Sequence, residues 1–90
     1  MMNYKEMIAQ IIEPAVGGGS AFDIPGLIEI PAESKMGDYA LPCFRLAKQM
    51  RKAPHLIAKE ITEKIENEAI FMKVESVNGY VNMLSTGNTS

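Results

Sequence analysis

Tyr4, Met7, Ile8, Ile11 and Ile12 recur at intervals of three and four, so the first apolar stripe has helical period. The pattern predicts a helix over about residues 4–13. Asn3 stands at its N-cap position and Glu6 follows three residues later, a capping box with Asn in place of Ser or Thr. Pro14 is compatible with the helix end, and Gly17-Gly18-Gly19-Ser20 reads as a linker. Leu27-Ile28-Glu29-Ile30, between Pro25-Gly26 and Pro31, predicts a short strand, with a loop over 31–38. A second helix is expected over about 42–51, with Pro42 at its first position. At 100° per residue, Cys43, Phe44, Leu46, Ala47 and Met50 share one arc, and Arg45, Lys48, Gln49 and Lys52 share the opposite arc. Pro54 opens a third helix to about residue 67, with Ile57, Ala58, Ile61 and Ile65 as its buried stripe. Glu60 and Lys64 form a surface pair on it, while Leu56 falls on the polar side.

The last element is a hairpin over about 70–84. Asn78-Gly79 is its turn, because a two-residue type I′ turn needs positive φ at both central positions. Val77 then faces Tyr80, Ser76 faces Val81, Glu75 faces Asn82 and Val74 faces Met83. Alternation places Ile70, Met72, Val74, Val81 and Met83 on the core face. Phe71, Lys73, Glu75, Val77, Tyr80, Asn82 and Leu84 lie on the other. Tyr80 and Asn82 thus put an aromatic ring and an amide two residues apart, a pair able to stack on a nucleobase and hydrogen-bond its edge. Three amphipathic helices need a common partner surface. The expected fold is therefore α+β: a small, mainly antiparallel sheet with about three helices packed on one face. One domain is expected over 1–84, and the polar residues 85–90 read as a disordered tail.

Composition narrows the chemistry. Ninety residues allow one domain. The single cysteine, Cys43, excludes an internal disulfide and fits a reducing compartment; its helical arc makes it a core residue. No apolar run reaches the roughly 20 residues of a membrane helix, and the N-terminus lacks a signal-peptide pattern, so the reading is a soluble, cytoplasmic protein. One cysteine and one histidine, His55, provide no metal-ligand set. The serines lack a nucleophile motif, and the glycine run has no Lys-Ser/Thr after it, as a phosphate loop requires. Ser34-Lys35-Met36 has the wrong order for a class I Lys-Met-Ser-Lys signature. Net charge is −2, but Arg45, Lys48, Arg51, Lys52, Lys59 and Lys64 are gathered in one segment. A local basic face can steer a phosphate backbone although the whole chain is slightly acidic.

Gly37-Asp38-Tyr39-Ala40, Leu46-Ala47-Lys48, Pro54-His55-Leu56-Ile57-Ala58 and Gly79-Tyr80-Val81-Asn82, in that order and spacing, resemble the N-terminal additional domain of arginyl-tRNA synthetases. The likeness spans roughly residues 1–84. It implies an α+β accessory domain that precedes a class I catalytic domain and contacts the D-loop of arginine tRNA. By resemblance, Tyr80 stacks on a D-loop base and Asn82 hydrogen-bonds near it. Many members of the family carry Gly-Pro-Gly before the aromatic residue, where this chain has Val77-Asn78-Gly79. Asn78 in the turn, and Arg45, Lys48 and Lys52 on the cationic arc, complete the candidate tRNA-binding set. ATP and Mg2+ are expected only in a catalytic domain, since neither class I signature is present here. No arginine activation is therefore expected of these residues, and no cofactor. The implied partners are arginine tRNA and the remainder of the synthetase, with no membrane and no DNA.

Two readings stay open at this level. The outer hairpin face is an RNA contact, or Phe71, Val77, Tyr80 and Leu84 form an apolar patch of a protein-interaction module. Gly37-Asp38 is either a turn, with Asp38 accepting backbone N–H groups, or a contact to RNA or a catalytic domain; Tyr39 fits a domain interface.

Overall fold

The computed structural model describes residues 3–17, 23–32 and 37–86. The glycines at 18 and 19, the Ser34-Lys35-Met36 segment and the tail from residue 87 lie outside the described residues.

The first helix, α1 (Tyr4–Ile12), starts on the expected capping box. The Asn3 side chain accepts from the Glu6 N–H at 2.9 Å, and the Glu6 carboxylate accepts from the Asn3 N–H at 3.4 Å. Two of the orphan donors at the helix start are thereby satisfied. A 3-10 turn (Glu13–Val16) follows and ends at Gly17, whose φ is +96°. The strand expected over 27–30 is not formed. Ile24–Leu27 make a one-turn helix, α2, in which the Asp23 side chain accepts from the Gly26 N–H at 3.3 Å. The backbone N–H groups of Leu27 and Ile28 turn back to the carbonyls of Asp23 and Ile24. Only Glu29 keeps a β partner, an isolated bridge to Ala40.

That bridge lies against a strand absent from the sequence reading, β1 (Tyr39–Pro42). Pro42 ends this strand instead of opening a helix. The next helix, α3 (Phe44–Met50), starts two residues beyond it and stops where Arg51 takes a left-handed φ of 55°. Pro54 does open its helix, α4 (Pro54–Ile65), and Ile57, Ala58, Ile61 and Ile65 are all buried.

β2 (Phe71–Val77) and β3 (Tyr80–Ser85) form the hairpin. Asn78 and Gly79 have φ of 50° and 82°, the turn they predict. The register is the expected one from Val77↔Tyr80 to Val74↔Met83. Beyond it a bulge between Phe71 and Lys73 sets an extra residue against the partner strand. That residue inverts the alternation at the strand start. Phe71, expected outside, is buried at 6% exposure, and Met72, expected in the core, is 68% exposed. β3 takes in Ser85, one residue past the expected domain boundary, and Ser85 is buried.

The sheet is antiparallel throughout, in the order β1-β3-β2. α4 packs across β2 and β3, and α1 packs against α4. One core joins Ile8 and Ile12 of α1, Ile57 and Ile61 of α4, and Leu41, Val81 and Met83 of the sheet. The fold class is thus the α+β arrangement expected, with β3 as its central strand.

Gly37 and Asp38 fix the edge of this sheet. Gly37 has a φ of +96°, and a Cβ there would lie 2.8 Å from the Met83 carbonyl oxygen. The Asp38 N–H donates to that oxygen at 2.8 Å, and the Asp38 carboxylate accepts from the Ser85 N–H at 2.9 Å. Asp38 accepts a backbone N–H, as the structural reading expected. Its partners are across the sheet on β3, not in a local turn. Tyr39 is half-buried against Tyr4, with ring centroids 6.2 Å apart. Burial, with the charges of Asp38 and Tyr4 behind it, raises the Tyr39 pKa.

Candidate nucleic-acid interface

The hairpin tip is held between the starts of two helices. The Cys43 N–H donates to the Gly79 carbonyl at 3.0 Å, which ties the start of α3 to the turn. Gly79 is buried against Pro54, the first residue of α4; a Cβ on Gly79 would come within 3.3 Å of the Pro54 Cβ. Asn78 is the exposed member of the turn.

This anchoring aims Tyr80. Its ring is half-buried and meets the Phe44 ring edge-to-face, with centroids 5.7 Å apart and planes at 76°. Phe44 was expected on the buried arc of its helix. Because β1 runs to Pro42, Phe44 becomes the first residue of α3, and it is 50% exposed. This aromatic contact depends on β1, a strand that the hydrophobic pattern does not mark.

Asn82 shares the outer face with Tyr80, as alternation requires, while Val81 and Met83 are fully buried on the inner one. Asn82 is not open to solvent, however. It is 8% exposed, because β3 is the central strand and Asn82 lies between Ala40 of β1 and Glu75 of β2. Its side-chain carbonyl oxygen is buried and has no hydrogen-bond partner. A buried, unpaired acceptor costs roughly 1–3 kcal/mol.

The expected cationic stripe divides. Arg45 and Lys48 are exposed on α3. Lys52 lies beyond the helix end, and its ammonium is 2.6 Å from the Glu60 carboxylate. Glu60 was expected to pair with Lys64 along α4; its bond is to Lys52 instead. The Lys52 hydrogen bond lowers the Glu60 pKa, with Lys64 adding only a charge contribution. Because the carboxylate pKa is lowered, the pair's contribution is complete above the ordinary carboxylate range and is lost as pH falls on through the lowered value.

Cys43 is fully buried, and burial pushes its thiol up to about 12. His55 is exposed in the first turn of α4, and Leu56 is half-exposed beside it. Among the described residues no group of His, Cys, Asp or Glu is placed to hold a metal. A cavity of about 460 Å³ lies between the 3-10 turn, the end of α3 and α4, rimmed by Lys52, Glu60 and Lys64. No nucleophile with a paired base faces it. Of the apolar patch considered for protein binding, Phe71 is in the core, while Val77 remains exposed. Among the described residues no helix is long and apolar enough to cross a membrane.

A twisted hairpin backed by helices, with an aromatic corner and a buried amide on its outer face, defines a small α+β module. The chain belongs to the family of arginyl-tRNA synthetase N-terminal domains, whose model matches residues 2–84. It is 39% identical over 89 residues to the arginine–tRNA ligase of Alkaliphilus metalliredigens, covering 99% of this chain and 16% of that protein. It is 51% identical over 82 residues to the arginine–tRNA ligase of Ligilactobacillus salivarius, covering 90% of this chain and 14% of the relative. Among solved structures, Thermus thermophilus arginyl-tRNA synthetase superposes with a TM-score of 0.71 at 26% identity, over 92% of this chain and 14% of that one. The chain thus spans a small part of the length of these relatives.

Proposed function

We propose that this chain is a tRNA-binding accessory domain of an arginine–tRNA ligase. It contacts the D-loop of arginine tRNA and helps to position it for a class I catalytic domain. ATP and Mg2+ belong to that catalytic domain, and the setting is cytoplasmic. The observation that carries the reading is the outer face of the hairpin. Tyr80 offers an aromatic ring, and Asn82 two residues on holds a carbonyl oxygen without a donor. Stacking on a ring accepts any base, whereas an amide selects by its edge. The Asn82 oxygen is buried, so a base donor would supply the missing hydrogen bond only once the side chain turns toward the outer surface. Family membership supports the ligand, because the relatives are arginine–tRNA ligases.

The phosphate side of the contact falls to Arg45 and Lys48, with Lys52 already held by Glu60. Titrating the chain with an arginine tRNA transcript at several salt concentrations tests this. Each true phosphate contact replaced by Gln lowers the slope of log affinity against log salt by roughly 0.7–0.9. Arg45→Gln and Lys48→Gln are expected to do so, and Lys52→Gln to do so least. An unchanged slope after all three replacements would reduce the stripe to a solvated face.

A further inference from the structure

We infer that Phe44 is a second base-stacking residue, which with Tyr80 forms a two-walled aromatic corner for one unpaired nucleobase of the RNA. The inference rests on the tRNA-binding reading of the hairpin and adds to it a residue from another element. Phe44 is the first residue of α3 and half of its surface is open. Its ring is held at 76° to Tyr80 with centroids 5.7 Å apart. The two ring planes stand close to perpendicular, which is the geometry of a two-walled corner. A flat base entering it stacks on one ring and abuts the other, and so is held in both directions. The backbones that carry the two rings are joined: Cys43 N–H bonds to the Gly79 carbonyl, and Pro42 is the register partner of Tyr80. Joining the two backbones beforehand lowers the ordering cost of bringing the rings to one base.

Two further features point to RNA as the occupant. Lys48 stands four residues after Phe44, hence on the same side of α3, and it is exposed. It places a cation within the same helix face for the phosphate of a base in the corner. Asn82 lies behind Tyr80 on the same sheet face, and its buried carbonyl oxygen lacks a partner, so a base edge would reach it only if the side chain turns outward. An apolar protein partner would need neither the cation nor a donor for that oxygen.

The test is binding of an arginine tRNA transcript to the 90-residue chain, read by fluorescence anisotropy, with thermal melting of each variant alongside. Phe44→Ala and Phe44→Leu are expected each to weaken binding by roughly 5- to 150-fold, the range of one base–aromatic stack. Phe44→Trp is expected to restore it. The salt slope should stay that of the parent chain, because stacking releases no counterions. If Phe44→Leu binds as the parent does, Phe44 only buttresses Tyr80 and the inference is overturned. If Tyr80→Ala weakens binding and no Phe44 variant does, the inference fails while the tRNA-binding reading stands. If neither position matters, or the chain does not bind the transcript, both fail. If Phe44→Ala instead abolishes self-association of the chain and leaves RNA binding unchanged, the corner is a protein contact and the inference is overturned.

Discussion

Tyr80→Ala will weaken binding of arginine tRNA by roughly 5- to 150-fold, the equivalent of about 1–3 kcal/mol for one lost base–aromatic stack. The fold will survive. Tyr80 is half-buried on the outer face, and its identified ring contact is an edge-to-face pair with Phe44. Such a pair contributes about 0.5–1.5 kcal/mol beyond area. Val81→Ala, one residue along, will do the reverse. Val81 is fully buried under the helices, and truncating it removes on the order of 1.5–3 kcal/mol of stability. At temperatures where that variant is still folded, its tRNA affinity should match the parent's. Urea denaturation and tRNA titration of both variants separate the two effects. A Tyr80→Ala chain that unfolds, or that binds tRNA unchanged, would make Tyr80 a structural residue.

Gly37→Ala is expected to be among the most damaging single replacements in the described part of the chain. The residue has a φ of +96°, a conformation that side chains rarely adopt, and its new Cβ would lie 2.8 Å from the backbone oxygen of Met83. That oxygen already accepts the Asp38 N–H, so it cannot withdraw without loosening the join of β1 to β3. The combined cost is roughly 2–4 kcal/mol. Gly17 provides the comparison. It has the same φ of +96°, but nothing lies within 4 Å of its Cβ position. Gly17→Ala should therefore show the backbone cost alone, about 1–2 kcal/mol. Equal unfolding midpoints for the two variants would mean that close packing on Met83 contributes nothing.

Three local signals in the sequence match the structure. The capping box at Asn3 and Glu6 concerns residues three apart, and it forms. Asn78-Gly79 fixes turn and register together, because positive φ at both residues permits little else. The α4 stripe is a plain 3.6-residue repeat, and all four of its members are buried. Most of the differences involve partners distant in sequence. β1 has four residues and ends in proline, so its strand character comes from pairing with β3 about forty residues later. Without β1, Pro42 looks like a helix start and Phe44 like a core residue. Without β1, too, Asn82 looks solvated, although Ala40 and Glu75 flank it. The bulge at Phe71 and Lys73 carries no glycine and breaks alternation without a sequence mark. Leu27–Ile30 has strand composition, but the Asp23 cap makes its first residue the end of a helical turn. The aromatic corner was thus only half legible: Tyr80 by alternation, Phe44 not at all.

The central claim is that the outer face of the hairpin meets the D-loop of arginine tRNA. Its most direct test is a nucleotide-resolution footprint: chemical reactivity of the transcript backbone and bases, with and without saturating protein. The account predicts that protection by the parent chain is centred on the D-loop and is lost from that loop with Tyr80→Ala at equal protein concentration. Protection centred elsewhere on the tRNA, or a D-loop footprint that persists without the Tyr80 ring, would contradict it.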